Sequence, residues 1–207
     1  VPLKGVRVLD ITSGQYGEYA TRLLAQSGAF IQKSFQEVKS SLRLEDKKEI
    51  LADCGIRKLL DESWDLIIWD SHCGFELDQS LLSYFDNKYP DNIGVRIHLP
   101  PGISLNEEDL QAFGGWMELT GDPAKEPLKV GGHPASCLIG AHAATGGLLA
   151  LVEKKATGRG RLVKISTPTI LASALEGVYT NNANNGITRT RVGNRHNKLT
   201  PMCILPT

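Results

Sequence analysis

The chain has 207 residues, with 23 basic and 23 acidic side chains and therefore a formal net charge of zero. That length supports one domain or a little more with a real core, and neutral charge excludes a global field that would gather nucleic acid or an anionic membrane. Apolar residues at 41% and charged residues at 22% place the chain among ordinary globular proteins.

No signal peptide opens the sequence, and no apolar run is expected to reach the roughly 18 residues of a membrane helix. Cys54, Cys73, Cys137 and Cys203 lie far apart without CxxC or zinc spacing, so they read as four reduced thiols of a cytoplasmic protein, with no metal site. The first residues carry a strand signal and the last, CILPT, follow an apolar run, so both ends look cut and a longer polypeptide is expected.

VRVLDI (6–11) is an apolar, β-branched run suited to a strand buried on both faces. TSGQYGE forms a turn, and EYATRLLAQSG (18–28) has helical apolar spacing closed by Gly28. AFIQKSF (29–35) is a second strand, which makes a βαβ opening and favours a parallel sheet. Segment 36–63 is charged and mostly helical, WDLIIWD (64–70) is a third buried strand, and ELDQSLLSYFDNKYP is an amphipathic helix stopped by Pro90. DNIGVRIHL (91–99) is a fourth strand, followed by the loop PPGIS.

In the second half, SCLIGAHAATGGLLALVEKKATG (136–158) is a long helix with Ala and Gly on one face, suited to close backbone packing. RGRLVKISTP is a strand ending at Pro168, TILASALEGVYTNNANNG one further helix, and TRTRVGNRHNKLTP a polar, basic loop. The expected fold is α/β, a Rossmann-like open parallel sheet with helices on both faces. Ligands of such sheets sit beyond the carboxyl ends of the strands, here near 12–18, 34–37, 70–75 and 99–104. No GxGxxG, Walker motif or GxSxG elbow is present.

Three segments taken together resemble the class III CoA-transferases, also called the CaiB/BaiF family. They are PLKGVRVLDITSGQYGEYATRLLAQSGA, then ELTGDP…PLKVGGHPAS…GAHAATGGLLALVEKKATGRGRLVKIS, then RTRVGNRHNKLTPMCILPT, in family order along nearly the whole chain. The resemblance implies a large Rossmann-like domain, a smaller domain and two interlinked subunits. On that basis residues 1–186 are the N-terminal part of the large domain and 187–207 a linker toward a small domain that is missing here. It also implies a reaction in which an aspartate attacks an acyl-CoA thioester and CoA passes to a second carboxylic acid.

The family's aspartate stands four residues before a Gly and six before a His. Gly140 and His142 fix that register, and the position falls on Ser136, with Cys137 beside it. The nearest acids along the chain are Glu126 and Glu153, so no local realignment restores a carboxylate. The strand-end loops also depart from the family, with QKSFQE, WDSHC and RIHLPPGIS in place of its KVE, ENF and SGFGQxGP types.

Each sharp reading has a plain counterpart. Ser136 and Cys137 serve either as replacement nucleophiles, with His133 as base, or as a helix cap and a packed thiol. His142 reads as a structural histidine rather than a base, and His72 and His98 lie near strand ends. Gln15 and Gly17 in the first loop are possible contacts to CoA by family likeness, or parts of a plain turn. Arg189, Arg191, Arg195 and Lys198 form a basic loop for CoA phosphates, or a solvated linker or subunit contact.

Three functions follow. The first is a catalytically deficient CoA-transferase-fold chain, in a homo- or heterodimer with a CaiB/BaiF-type chain, with acyl-CoA or CoA as ligand and no covalent cofactor. The second is an acyl-CoA enzyme with a changed nucleophile or racemase-type chemistry, against which FGGWMELTG lacks the expected preceding His. The third is a non-catalytic binding module.

Overall fold

The computed structural model describes residues 2–33, 62–87, 91–103 and 106–194. The expected helical segment 36–63 therefore lies almost wholly outside the described residues, as do Arg195 and Lys198.

Five strands form one parallel sheet: β1 (Arg7–Ile11), β2 (Phe30–Lys33), β3 (Leu66–Asp70), β4 (Ile93–His98) and β5 (Leu162–Ser166). Their order is β2-β1-β3-β4-β5. The three central strands β1, β3 and β4 are largely buried on both faces, which is why they read as mostly apolar runs. Val8, Leu66, Ile68, Val95 and Ile97 feed one core, while Leu9, Ile11, Ile67 and Trp69 feed the other. Because β1 lies between β2 and β3, the loops leaving β1 and β3 diverge, and the crevice between their carboxyl ends is the switch point where ligands of open α/β sheets bind.

On the first face lie α1 (Gln15–Gln26) and α4 (Pro134–Thr157). Pro134 sits in the first turn of α4, where its missing N–H costs nothing, and Gly158 closes the helix at φ 72°. Gly140, Ala143, Ala144 and Gly147 share a buried face. A Cβ on Gly140 would collide with the Tyr16 carbonyl and stand 3.0 Å from the Ala20 nitrogen, so the two helices meet backbone to backbone. Gly147 packs instead against a side chain, where an added Cβ would stand 3.1 Å from the Leu66 Cδ2 of β3. The opposite face of α4 carries His142, Thr145, Leu149 and Val152 to solvent.

The expectation that no segment suits a membrane is amended. By length and composition α4 is long and apolar enough to cross one, although its Gly/Ala face is packed inside the described fold.

The second face is covered by α2 (Phe75–Asn87). Phe85 stacks on Trp69 at 5.5 Å, and Asp78 accepts two hydrogen bonds from Arg96, at 2.7 and 2.6 Å, and one from the Trp69 indole at 2.9 Å. Burial pushes the Asp78 carboxyl pKa up, but Arg96 and Trp69 outweigh it and hold it below the ordinary value.

Two elements differ from expectation. A short helix α3 (Glu107–Phe113) follows the PPGIS loop, with Asn106 accepting the Asp109 N–H at 2.7 Å, and a 3₁₀ turn covers Met117–Leu119. The single helix expected after Pro168 is two, α5 (Thr167–Ser173) and α6 (Glu176–Asn185), with Pro168 in the first turn of α5 rather than ending the strand. The Trp116 indole takes the Leu171 carbonyl at 3.1 Å, the acceptor a continuous helix would use for Leu175. The Leu175 N–H turns instead to Ala172, and the chain bends.

Candidate active site

The start of α4 meets an acid from another helix. Along the chain no carboxylate stands near Ser136, but in space Glu107 of α3 does. Its Oε1 accepts the Ala135 N–H at 2.8 Å, and its Oε2 accepts both the N–H and the hydroxyl of Ser136, at 2.9 and 2.7 Å. Gln111, one turn along α3, donates to Oε1 at 2.8 Å. Gln111 also pairs with the backbone of Val130 in both directions, which fixes the loop leading into α4.

Glu107, Gln111 and Ser136 are all buried. An α-helix leaves its first N–H groups unpaired and positive, and Glu107 supplies both acceptor and charge there. Burial pushes the Glu107 pKa up, but the bonds from Ser136, Gln111 and Ala135 outweigh that penalty and hold it below the usual range. The carboxylate is thus kept ionised with its oxygens occupied. Ser136 spends its only O–H on Glu107.

The other residues singled out near α4 are more exposed. Cys137 is partly exposed, its N–H bound to the His133 carbonyl at 3.0 Å. His133 precedes the helix in solvent, and no side-chain bond ties it to Ser136 or Cys137. His142 lies on the exposed face, away from the small residues that pack on α1, with Nδ1 2.9 Å from the Leu138 carbonyl.

At the switch point, Asp10 is the penultimate residue of β1 and Asp70 the last of β3, and both are buried. Asp10 accepts the N–H and hydroxyl of Thr12 at 2.9 and 2.6 Å, with Thr21 at 3.2 Å and the Lys33 ammonium at 3.6 Å. Asp70 accepts the N–H groups of Ser13 and His72, at 2.6 and 2.9 Å. Burial dominates at Asp70 and raises its pKa above the ordinary carboxyl value despite these bonds.

Gln15 is exposed at the first position of α1. Gly17 is interior, where any Cβ would occupy the space of the Thr12 hydroxyl. His72 closes the turn with Nε2 3.1 Å from the Ile103 carbonyl, and His98 is exposed at the end of β4.

The basic loop separates into two roles. Arg191 is largely buried and pairs with Glu118 at 3.0 Å, tying the segment after α6 to the 3₁₀ turn. Arg189 instead lines an open cleft of about 730 Å³ between α6 and residues 187–192, walled by Asn181, Asn184 and Thr188. That cleft holds none of the residues around Ser136 or Asp70. Among the described residues no cluster of His, Cys, Asp and Glu is arranged to hold a metal.

Sequence reasoning missed Glu107, Gln111 and the Asp70 network. The signal for the first was present in NEEDLQAF, a capped helix start with three acids in its first turn and a Gln one turn beyond.

The profile of CoA-transferase family III matches residues 107–207, the segment that carries Glu107 and Ser136. Among curated proteins, the succinate–glutarate CoA-transferase of Agrobacterium fabrum is 23% identical, covering 100% of this chain and 61% of the relative. The formyl-CoA:oxalate CoA-transferase of Streptomyces avermitilis is 27% identical, over 79% of this chain and 47% of the relative. A CAIB/BAIF family protein from Brucella suis superposes with a TM-score of 0.74 at 23% identity, over 97% of this chain and 62% of that one. Rv3272 of Mycobacterium tuberculosis gives a TM-score of 0.66 at 18% identity, over 88% and 59%. This chain therefore spans about half to three-fifths of the length of these relatives. Residues 107–207 thus carry the sequence pattern of CoA-transferase family III, and the chain shares its fold with a CAIB/BAIF family protein.

Proposed function

We propose that this chain is a catalytically deficient member that supports transfer of CoA between an acyl-CoA and a carboxylic acid. It would act as a subunit or domain beside an active CaiB/BaiF-type copy, in a dimer, in the cytoplasm. Residues 1–186 serve as the N-terminal part of the large domain and 187–207 as the linker toward a small domain. One observation carries the reading: Ser136, at the family's nucleophile position, is buried and donates its hydroxyl to Glu107 at 2.7 Å.

The chemistry explains why that substitution matters. A carboxylate attacking a thioester gives a mixed anhydride, activated enough for the CoA thiolate to return. An ester on serine lacks that activation, and the serine oxygen would first have to leave Glu107. Glu107 itself already accepts four hydrogen bonds and is stabilised as an anion, which weakens it as base and nucleophile. CoA binding is assigned to the switch-point crevice, with Gln15 as the contact and Gly17 letting the turn pack; Arg195 belongs to the same proposal as a partner for CoA phosphates.

Native mass spectrometry of the complex purified from its source tests this reading. A heteromer with an aspartate-bearing homologue, or one long chain holding both copies, is the expected result. A homo-oligomer turning over acyl-CoA would contradict it.

A second reading, an acyl-CoA enzyme with a changed nucleophile, draws on the partial exposure of Cys137 beside Ser136. An acyl adduct on Cys137 in peptide mapping would establish it, and a clean peptide would end it.

A further inference from the structure

Asp70 is the least explained group in the fold. It is fully buried at the carboxyl end of β3, and among the described residues no cation forms an ion pair with it. Its two oxygens serve different turns. Oδ2 accepts the Ser13 N–H of the β1–α1 turn at 2.6 Å, and Oδ1 accepts the His72 N–H of its own β3–α2 turn at 2.9 Å. The Ser13 hydroxyl lies 3.1 Å from both oxygens.

Among the described residues, the surroundings give the carboxyl no charge compensation. From α1 the buried Tyr16 ring faces it, with a hydroxyl that lies beside Asp70 yet outside hydrogen-bond geometry. Asp10 from β1 and the buried thiol of Cys73 face the same Tyr16 hydroxyl. Beyond Cys73, the Asp78–Arg96 pair of α2 and β4 is already closed on itself.

A buried, uncompensated acid is costly unless both oxygens are used. Here both are, one to the turn after β1 and the other to the turn after β3, the two turns that flank the switch point of the strand order. We propose that Asp70 is a positioning residue that clamps the β1–α1 turn to the β3–α2 turn and thereby sets the width of the crevice that a CoA thioester enters. The clamp follows from the hydrogen bonds alone, while the ligand rests on the CoA reading above.

The isosteric change Asp70→Asn makes the test specific. An amide has one acceptor oxygen, and its NH₂ cannot face a backbone N–H, so it must release one turn and keep the other. Were Asp70 merely filling space, Asn would change nothing. Site-resolved amide hydrogen exchange on the wild type, Asp70→Asn, Asp70→Ala and Ser13→Ala reads the turns separately, and calorimetry with CoA reads the crevice.

The expected result is exchange about tenfold faster or more at one of Ser13 and His72 in Asp70→Asn, and at both in Asp70→Ala, with β1 and β4 amides unchanged. CoA affinity should fall about fivefold or more in both variants. Exchange within about twofold of the wild type at both amides in both variants would overturn the clamp. Released turns with unchanged CoA affinity would overturn its control of the crevice. No CoA heat from the wild type would overturn the ligand reading while the exchange data still decide the clamp. Should Asp70→Ala fail to fold, Asp70→Asn and Ser13→Ala decide it.

Discussion

Glu107 and Asp70 are both buried carboxylates that accept backbone N–H groups, yet their pKa values move in opposite directions. Glu107 meets the first N–H groups of a 24-residue helix and two side-chain donors that touch no other acid. Asp70 meets two isolated turn amides in a region shared with Asp10, Tyr16 and Cys73, all of which become more negative when they ionise. What a buried acid becomes is decided by whether its donors outweigh the lost water. One site holds a carboxyl group that caps a helix; the other holds a carboxyl group that joins two turns.

The largest expected effect separates the two sites by truncation. Glu107→Ala leaves four donors around the α4 start without their acceptor and should cost about 3–5 kcal/mol in chemical denaturation. Gly140→Ala attacks the same helix by its other support. The added methyl meets the Tyr16 carbonyl, for an expected cost of about 1–3 kcal/mol, with α1 and α4 losing amide protection together. Ser136→Ala removes one bond to a charged acceptor and leaves the backbone cap in place, so about 1–2 kcal/mol is expected from the same measurement. Cys137→Ser alters a partly exposed thiol that makes no side-chain hydrogen bond among the described residues, and should change stability by less than about 0.5 kcal/mol.

Acid titration sharpens the contrast because the signs differ. Unfolded Glu and Asp titrate near about 4.3 and 3.9. Glu107 is held lower when folded, so its contribution is complete above the unfolded value and disappears as pH falls through the folded one. Asp70 is raised, so its contribution is complete below the unfolded value and declines as pH rises toward the folded one. Unfolding experiments should therefore show the advantage of wild type over Glu107→Gln shrinking only below about pH 4, after holding between about pH 7 and pH 4. The balance between wild type and Asp70→Asn should move in favour of the wild type as pH falls from about 7 to about 4.

The parts of the fold that were readable are those whose pattern is set by local burial. Strands such as LIIWD are apolar throughout because both faces are covered, and α4 is recognisable from its repeated Gly and Ala. What was not readable depended on distant partners. The break between α5 and α6 needs Trp116, which lies 55 residues from the carbonyl it captures. Likewise, searching along the chain for an acid near Ser136 could not find Glu107, 29 residues away and on another helix. Gly17 illustrates the converse. A turn glycine near a ligand crevice invites a contact role, whereas its packing against Thr12 already requires the missing side chain.

The most direct test is intact-protein and peptide mass spectrometry after incubation with acyl-CoA thioesters, including succinyl-CoA and formyl-CoA, with a hydroxylamine-treated control. The account predicts unmodified peptides containing Glu107, Ser136 and Cys137, because the Ser136 hydroxyl and the Glu107 carboxylate are already bonded to each other. A hydroxylamine-sensitive acyl or CoA adduct on any of the three would show that the chain performs the first half of the transfer itself and would contradict its assignment as a deficient partner.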